Sequence, residues 1–171
     1  MVSNHRTLNR KHKPTRSSKD GNVVIGFCTR SLLMLDLDLH PKELVKEFVK
    51  KYSKTYKLGS VLLLKTSNSF VVDASGNKLD KYSAVFGKVL SWKEIKWHLK
   101  ECRRLEMVEP AFLKLRKFGY ITIRVNAKNN DTPAPKIVGL YNLGDVTGIL
   151  RFEEFRQVCR KLGKQNADTE L

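Results

Sequence analysis

Between residues 31 and 40, SLLMLDLDLH, apolar and polar positions alternate with a period of two. Successive strand side chains point to opposite faces, so Leu33, Leu35, Leu37 and Leu39 share one face. Met34, Asp36, Asp38 and His40 take the other. This predicts a half-buried strand over about 31–39. The same period recurs in YITIRVNAK, 120–128, where Ile121, Ile123, Val125 and Ala127 alternate with Tyr120, Thr122, Arg124, Asn126 and Lys128. Shorter apolar runs predict strands at 60–66 (SVLLLKT, after Gly59), 81–87 (KYSAVFG) and 136–141.

Elsewhere the period is helical. Pro41 opens a predicted helix over 41–54, with Leu44, Val45, Phe48, Val49 and Tyr52 on its apolar side. A second helix, 91–105, aligns Trp92, Ile95, Leu99 and Cys102. A third, 109–118, begins at Pro110 and stops at Gly119. The last, 151–162, carries Phe152, Phe155, Cys159 and Leu162.

The order βαββ(αα)ββα is close to the split βαββαβ plan. It predicts an α+β fold: an RRM- or ferredoxin-like, antiparallel-rich sheet with helices on one face, plus a C-terminal helix. The second sheet face is expected to stay available to ligands. Residues 1–22 hold almost nothing that a core could bury and are expected to be a disordered basic arm. Residues 23–163 are expected to form one α+β domain, and 164–171 a polar tail.

Charge changes the picture. Lys and Arg number 33 against 17 Asp and Glu, a net charge of +16, with a pI near 9.9. That excess points to a polyanionic partner, because each neutralised phosphate releases condensed counterions. Nucleic acid, DNA or RNA, is the leading expectation; the bland alternative is that the charge serves solubility alone. An acidic membrane surface ranks lower, since no strongly amphipathic basic helix stands out. Apolar runs such as Val61–Leu64 are too short to span a bilayer, and the N-terminus lacks the apolar core of a secretion signal. A cytoplasmic protein is therefore expected. The three cysteines are odd in number and lack zinc-site spacing, which fits buried thiols in a reducing compartment. Phosphate-binding glycine loops and the nucleophile-elbow pattern are absent.

Asp36 and Asp38 stand about 7 Å apart along the strand. Two hard oxygen donors at that spacing could hold Mg²⁺ or Mn²⁺ against the phosphates of a nucleotide. The alternative is a solvated strand face, although strands disfavour Asp. If 120–128 neighbours the first strand, Arg124 and Lys128 lie beside the aspartates. They then either grip phosphates or pair with the carboxylates. Lys65 and Lys136 at other strands, with Arg10, Lys11, Lys13 and Arg16 of the arm, are further candidate phosphate contacts. Trp97 sits among Lys93, Lys96, Lys100, Arg103 and Arg104, where an indole either stacks a base or packs on a neighbour. His40 and His98 are expected to be structural.

A strand ending in LLMLDLDLH is similar to the first motif of archaeo-eukaryotic primases and primase-polymerases, an Asp-x-Asp on a strand of an RRM-like palm. The segment GYITIRVNAKNNDTPAPKIV resembles the late strand and Pro-rich exit of divergent members from archaeal plasmids and viruses. The resemblance covers roughly 25–142, by element order more than by identity. It implies a palm-like fold, metal binding at Asp36 and Asp38, and a part in replicating a mobile element. Two departures bear on activity. Active members carry Ser-x-His after the first βα unit, whereas KTSNSFVVD and KYSAVFG offer Thr66, Ser67, Ser69, Tyr82 and Ser83 but no His. Their third motif supplies another acid on a late strand, where this chain has Arg124, Asn126 and Lys128, with Asp131 already beyond it. The resemblance thus implies the palm more strongly than the polymerase.

Overall fold

A computed structural model describes residues 25–68, 70–76, 78–113, 119–127 and 133–167. In chain order the elements are β1 (Gly26–Thr29), β2 (Leu32–Pro41), α1 (Lys42–Tyr56), β3 (Val61–Lys65), β4 (Val71–Val72) and β5 (Lys78–Val89). They continue with α2 (Trp92–Arg104), α3 (Pro110–Leu113), β6 (Ile121–Arg124), β7 (Lys136–Tyr141) and α4 (Thr147–Ala167).

The main sheet runs β2-β5-β3-β7, every pairing antiparallel, with β4 folded back on β5; β1 and β6 form a separate antiparallel pair. The β2–α1–β3 crossover leaves a gap that β5 fills, which is the split arrangement of ferredoxin-like sheets. The fold is therefore α+β, antiparallel-rich and ferredoxin-like, with a C-terminal helix.

Register explains how the core divides. Leu35, Ala84 and Leu63 stand opposite one another across β2, β5 and β3. Phe86 shares their face by alternation, and its ring meets Tyr52 of α1 at 6.3 Å. This is the side that α1 and α2 cover, through Val45, Val49 and Tyr52 of one and Ile95, Leu99 and Cys102 of the other. Helix α2 starts sharply because Ser91 and Glu94 form a reciprocal capping box.

The second face is not left open. Met34, Val85 and Leu62, aligned across the same three strands, are at most 2% exposed. Helix α4 and the β1–β6 pair close this side. Phe27 of β1 meets Phe152 and Phe155 of α4 at 5.4 and 5.2 Å, and Gly148 lies so near the sheet that an added Cβ would fall 2.6 Å from Leu32.

Four features differ from the expectation of the alternating pattern. Strand β1 and the short β4 were not foreseen, each having too few residues to show a period. A register shift between Asp38 and His40 carries Leu39 at a φ of 62°, turning it to solvent and out of line with Leu33, Leu35 and Leu37. Helix α4 is longer at both ends than 151–162. Among the described residues no helix is long and apolar enough to cross a membrane.

Candidate cation and phosphate site

Asp36 and Asp38 lie on the second face of β2, opposite Ser83 and Lys81 of β5. The Ser83 hydroxyl donates to Asp36 Oδ1 at 3.4 Å. The bulge at Leu39 follows Asp38 directly. Bulges bend a strand and re-aim its side chains, and a non-glycine residue at positive φ costs about 1–3 kcal/mol.

Both carboxyls are held above the usual carboxylate range. Burial is the main cause for each. Asp36 is pushed up to about 7, with the neighbouring charge of Asp38 adding to burial and the Ser83 hydrogen bond opposing it. Asp38 is raised by burial against the pull of Lys81. Its Oδ1 is buried without a hydrogen-bond partner. An acceptor left so costs roughly 1–3 kcal/mol, more for a charged group.

A third acid comes near. Glu109, the exposed residue before α3, raises both aspartates through its charge. Sequence reasoning missed it, because no period links a loop residue to a strand some seventy positions earlier. Among the described residues, no group of three or more His, Cys, Asp or Glu is close enough to hold a metal ion. A cation on Asp36 and Asp38 would complete its shell with water or phosphate oxygens, as Mg²⁺ commonly does. The unpartnered Oδ1 and the charge that Asp38 sets against Asp36 both fit such an ion.

Arg124 is brought to this face. It feels the charge of Asp36, while burial lowers its pKa. Its guanidinium donates to backbone carbonyls of three segments: Thr66 at the end of β3, Asn126, and Pro133 at 2.8 Å. The planar fork suits this task and a lysine does not. Arg124→Lys should therefore lower stability by about 1–2 kcal/mol in a urea titration. A variant as stable as the wild type would remove this structural role.

The other sequence-predicted cations are dispersed. Lys65 points to the helix-covered side of the sheet, where its Nζ pairs with Asp80 at 3.0 Å and Tyr82 donates to the same carboxylate at 3.0 Å. Lys136 faces Lys65 in register and is exposed at the start of β7. Arg10, Lys11, Lys13, Arg16, Lys128 and Asp131 lie outside the described residues. His98 is buried, its Nδ1 3.0 Å from the Tyr52 hydroxyl, in keeping with a structural histidine.

Ser83 stands beside Asp36, and Val85, two positions on, is wholly buried against the second-face core. Comparison with protein-family models, with curated proteins and with solved structures found no match to this chain.

Proposed function

We propose that this protein binds nucleic acid, and that Asp36 and Asp38 hold Mg²⁺ or Mn²⁺ against phosphate oxygens in a divergent primase-like palm serving the replication of a mobile element. The observation that carries the cation site is the buried, unpartnered Oδ1 of Asp38 beside an Asp36 whose carboxyl is pushed up to about 7. A divalent ion supplies the positive charge that both carboxylates lack, and a bound ion offsets phosphate charge there. Lys81 and Arg124 add positive charge nearby, against that of Glu109, but not enough to hold both carboxyls ionised. The net charge of +16 supports the polyanionic partner.

A second reading, a binding module without turnover, is favoured by the stretch after Ser83, which offers no His for phosphate contact and has the wholly buried aliphatic Val85 two positions on.

One set of measurements separates them. Binding of single- and double-stranded DNA and RNA is measured across a salt series, and primer synthesis and extension are assayed with Mn²⁺ and Mg²⁺. Metal-dependent incorporation that disappears in Asp36→Ala/Asp38→Ala establishes the palm as an enzyme. Salt-sensitive binding, strengthened by Mn²⁺ only when both aspartates are present and without incorporation, establishes the binding module. Incorporation or Mn²⁺ response unchanged in the double variant sinks the site. No binding to any nucleic acid at low salt sinks the partner.

A further inference from the structure

The carboxylate site lies on one face of the sheet; the outer surface of α1 and α2 lies on the other and holds a different chemistry. Trp97 falls beside the buried stripe of α2 (Ile95, His98, Leu99 and Cys102) and leaves 50% of its surface exposed. It is nevertheless held in place. Its ring meets Tyr56 of α1 at 5.4 Å and His98 at 4.9 Å, both edge to face, and Tyr56 meets His98 at 5.4 Å. Behind them Tyr52 and Phe48 continue the aromatic row into the core. An exposed indole with such anchoring loses little side-chain freedom when something stacks on it.

Cations surround it. Lys93, Lys96 and Lys100 are exposed on the same helix. The end of α1 and β5 form an open cavity of about 410 Å³, lined by Lys54, Lys57 and Lys88 together with Leu143 and Asp145. Lys88 lies within electrostatic reach of both His98 and Asp145, which joins the cavity to the aromatic row. The Asp145 carboxylate already accepts from the Thr147 amide at 2.9 Å and hydroxyl at 2.7 Å.

We infer that this surface docks single-stranded nucleic acid, with a base stacked on Trp97 and a neighbouring phosphate drawn to Lys54, Lys57 and Lys88. Charge complementarity selects a polyanion, and the half-exposed indole selects one with unpaired π-faces, because bases inside a duplex are already stacked. A duplex or an acidic peptide would use the lysines alone. The inference rests on the nucleic-acid reading above and adds a second surface, behind the sheet from Asp36 and Asp38.

The test uses the full chain and an oligothymidylate. In Trp92→Phe, Trp97 is the sole remaining tryptophan, and its fluorescence should be quenched on titration. Trp97→Ala should weaken binding about tenfold, within the range for losing one stacked base. Lys54→Gln/Lys57→Gln/Lys88→Gln should flatten the dependence of log affinity on log salt by about one to two. Single-stranded binding that persists with wild-type affinity and salt slope in both variants, with Trp97 unquenched, overturns this surface while leaving nucleic-acid binding intact. Absence of binding by the wild type overturns both. Equal losses for duplex and single strand in Trp97→Ala would overturn the stacking role.

Discussion

At pH 8, Asp36→Asn should unfold at a higher denaturant midpoint than the wild type, and near pH 4 the difference should almost vanish. The folded protein holds the Asp36 proton up to about 7, whereas the unfolded chain releases it near the ordinary value of 3.8. Between those values the folded state binds more protons, so the free energy of unfolding falls as pH rises. The stability is fully present below about 4 and is lost as pH passes through about 7. Above that, two half-buried carboxylates face each other, and the cost is on the order of 2–4 kcal/mol. Asparagine keeps an oxygen for the Ser83 hydroxyl and removes the charge. Comparing variant with wild type at each pH cancels the background of a strongly basic chain. Mn²⁺ at pH 8 should raise the wild-type midpoint, by mass action on the folded state, and leave Asp36→Asn nearly unmoved. Wild type and variant running parallel from pH 4 to pH 8 would mean that the pair is not a strained carboxylate site.

Gly87→Ala should cost about 3 kcal/mol, as for overpacking against atoms that cannot yield. A Cβ there would sit 1.9 Å from the Asp145 carbonyl oxygen and 2.8 Å from its carbon. That oxygen is fixed by the Ser60 amide at 2.8 Å, and the Asp145 side chain ties down the first turn of α4. The methyl must therefore lift the start of α4 from the sheet, or bend β5 near its C-terminal end. Gly76→Ala is the control. Its φ of +80° makes alanine unfavourable by about 1 kcal/mol, but nothing lies within 4 Å of the added Cβ. Urea unfolding, with limited proteolysis of α4, reads both. Equal losses for the two variants would show that α4 is not seated on the sheet through this contact.

Strands β2, β3, β5 and β7 and helices α1 and α2 were legible within a few residues: β2 and the two helices from a sustained period, over ten residues in β2 and fifteen in α1, and the other strands from short apolar runs. Strand β1 was not legible. Its four residues gain their hydrogen bonds only by pairing with β6, almost a hundred positions away. The Asp36 and Asp38 pair could be read from spacing, since a period of two puts both on one face whatever lies elsewhere. Glu109, the carbonyl partners of Arg124 and the pairing of Lys65 with Asp80 could not, because each joins segments that no local pattern relates.

By itself, the sequence determined the antiparallel α+β elements, the acidic pair on β2, the net charge of +16 and the aromatic among lysines on α2. Those are properties of local periodicity and composition, and short-range sterics enforce them. The tertiary structure decided that α4 and β1–β6 cover the sheet face that a ferredoxin-like plan would leave open. It also decided that Asp36 and Asp38 are buried enough to contest their own ionisation, and that Trp97 stays half exposed against Tyr56 and His98. Burial is a sum over contacts between distant segments, and it sets the local dielectric, so the chemistry of a side chain waits on its neighbours in space.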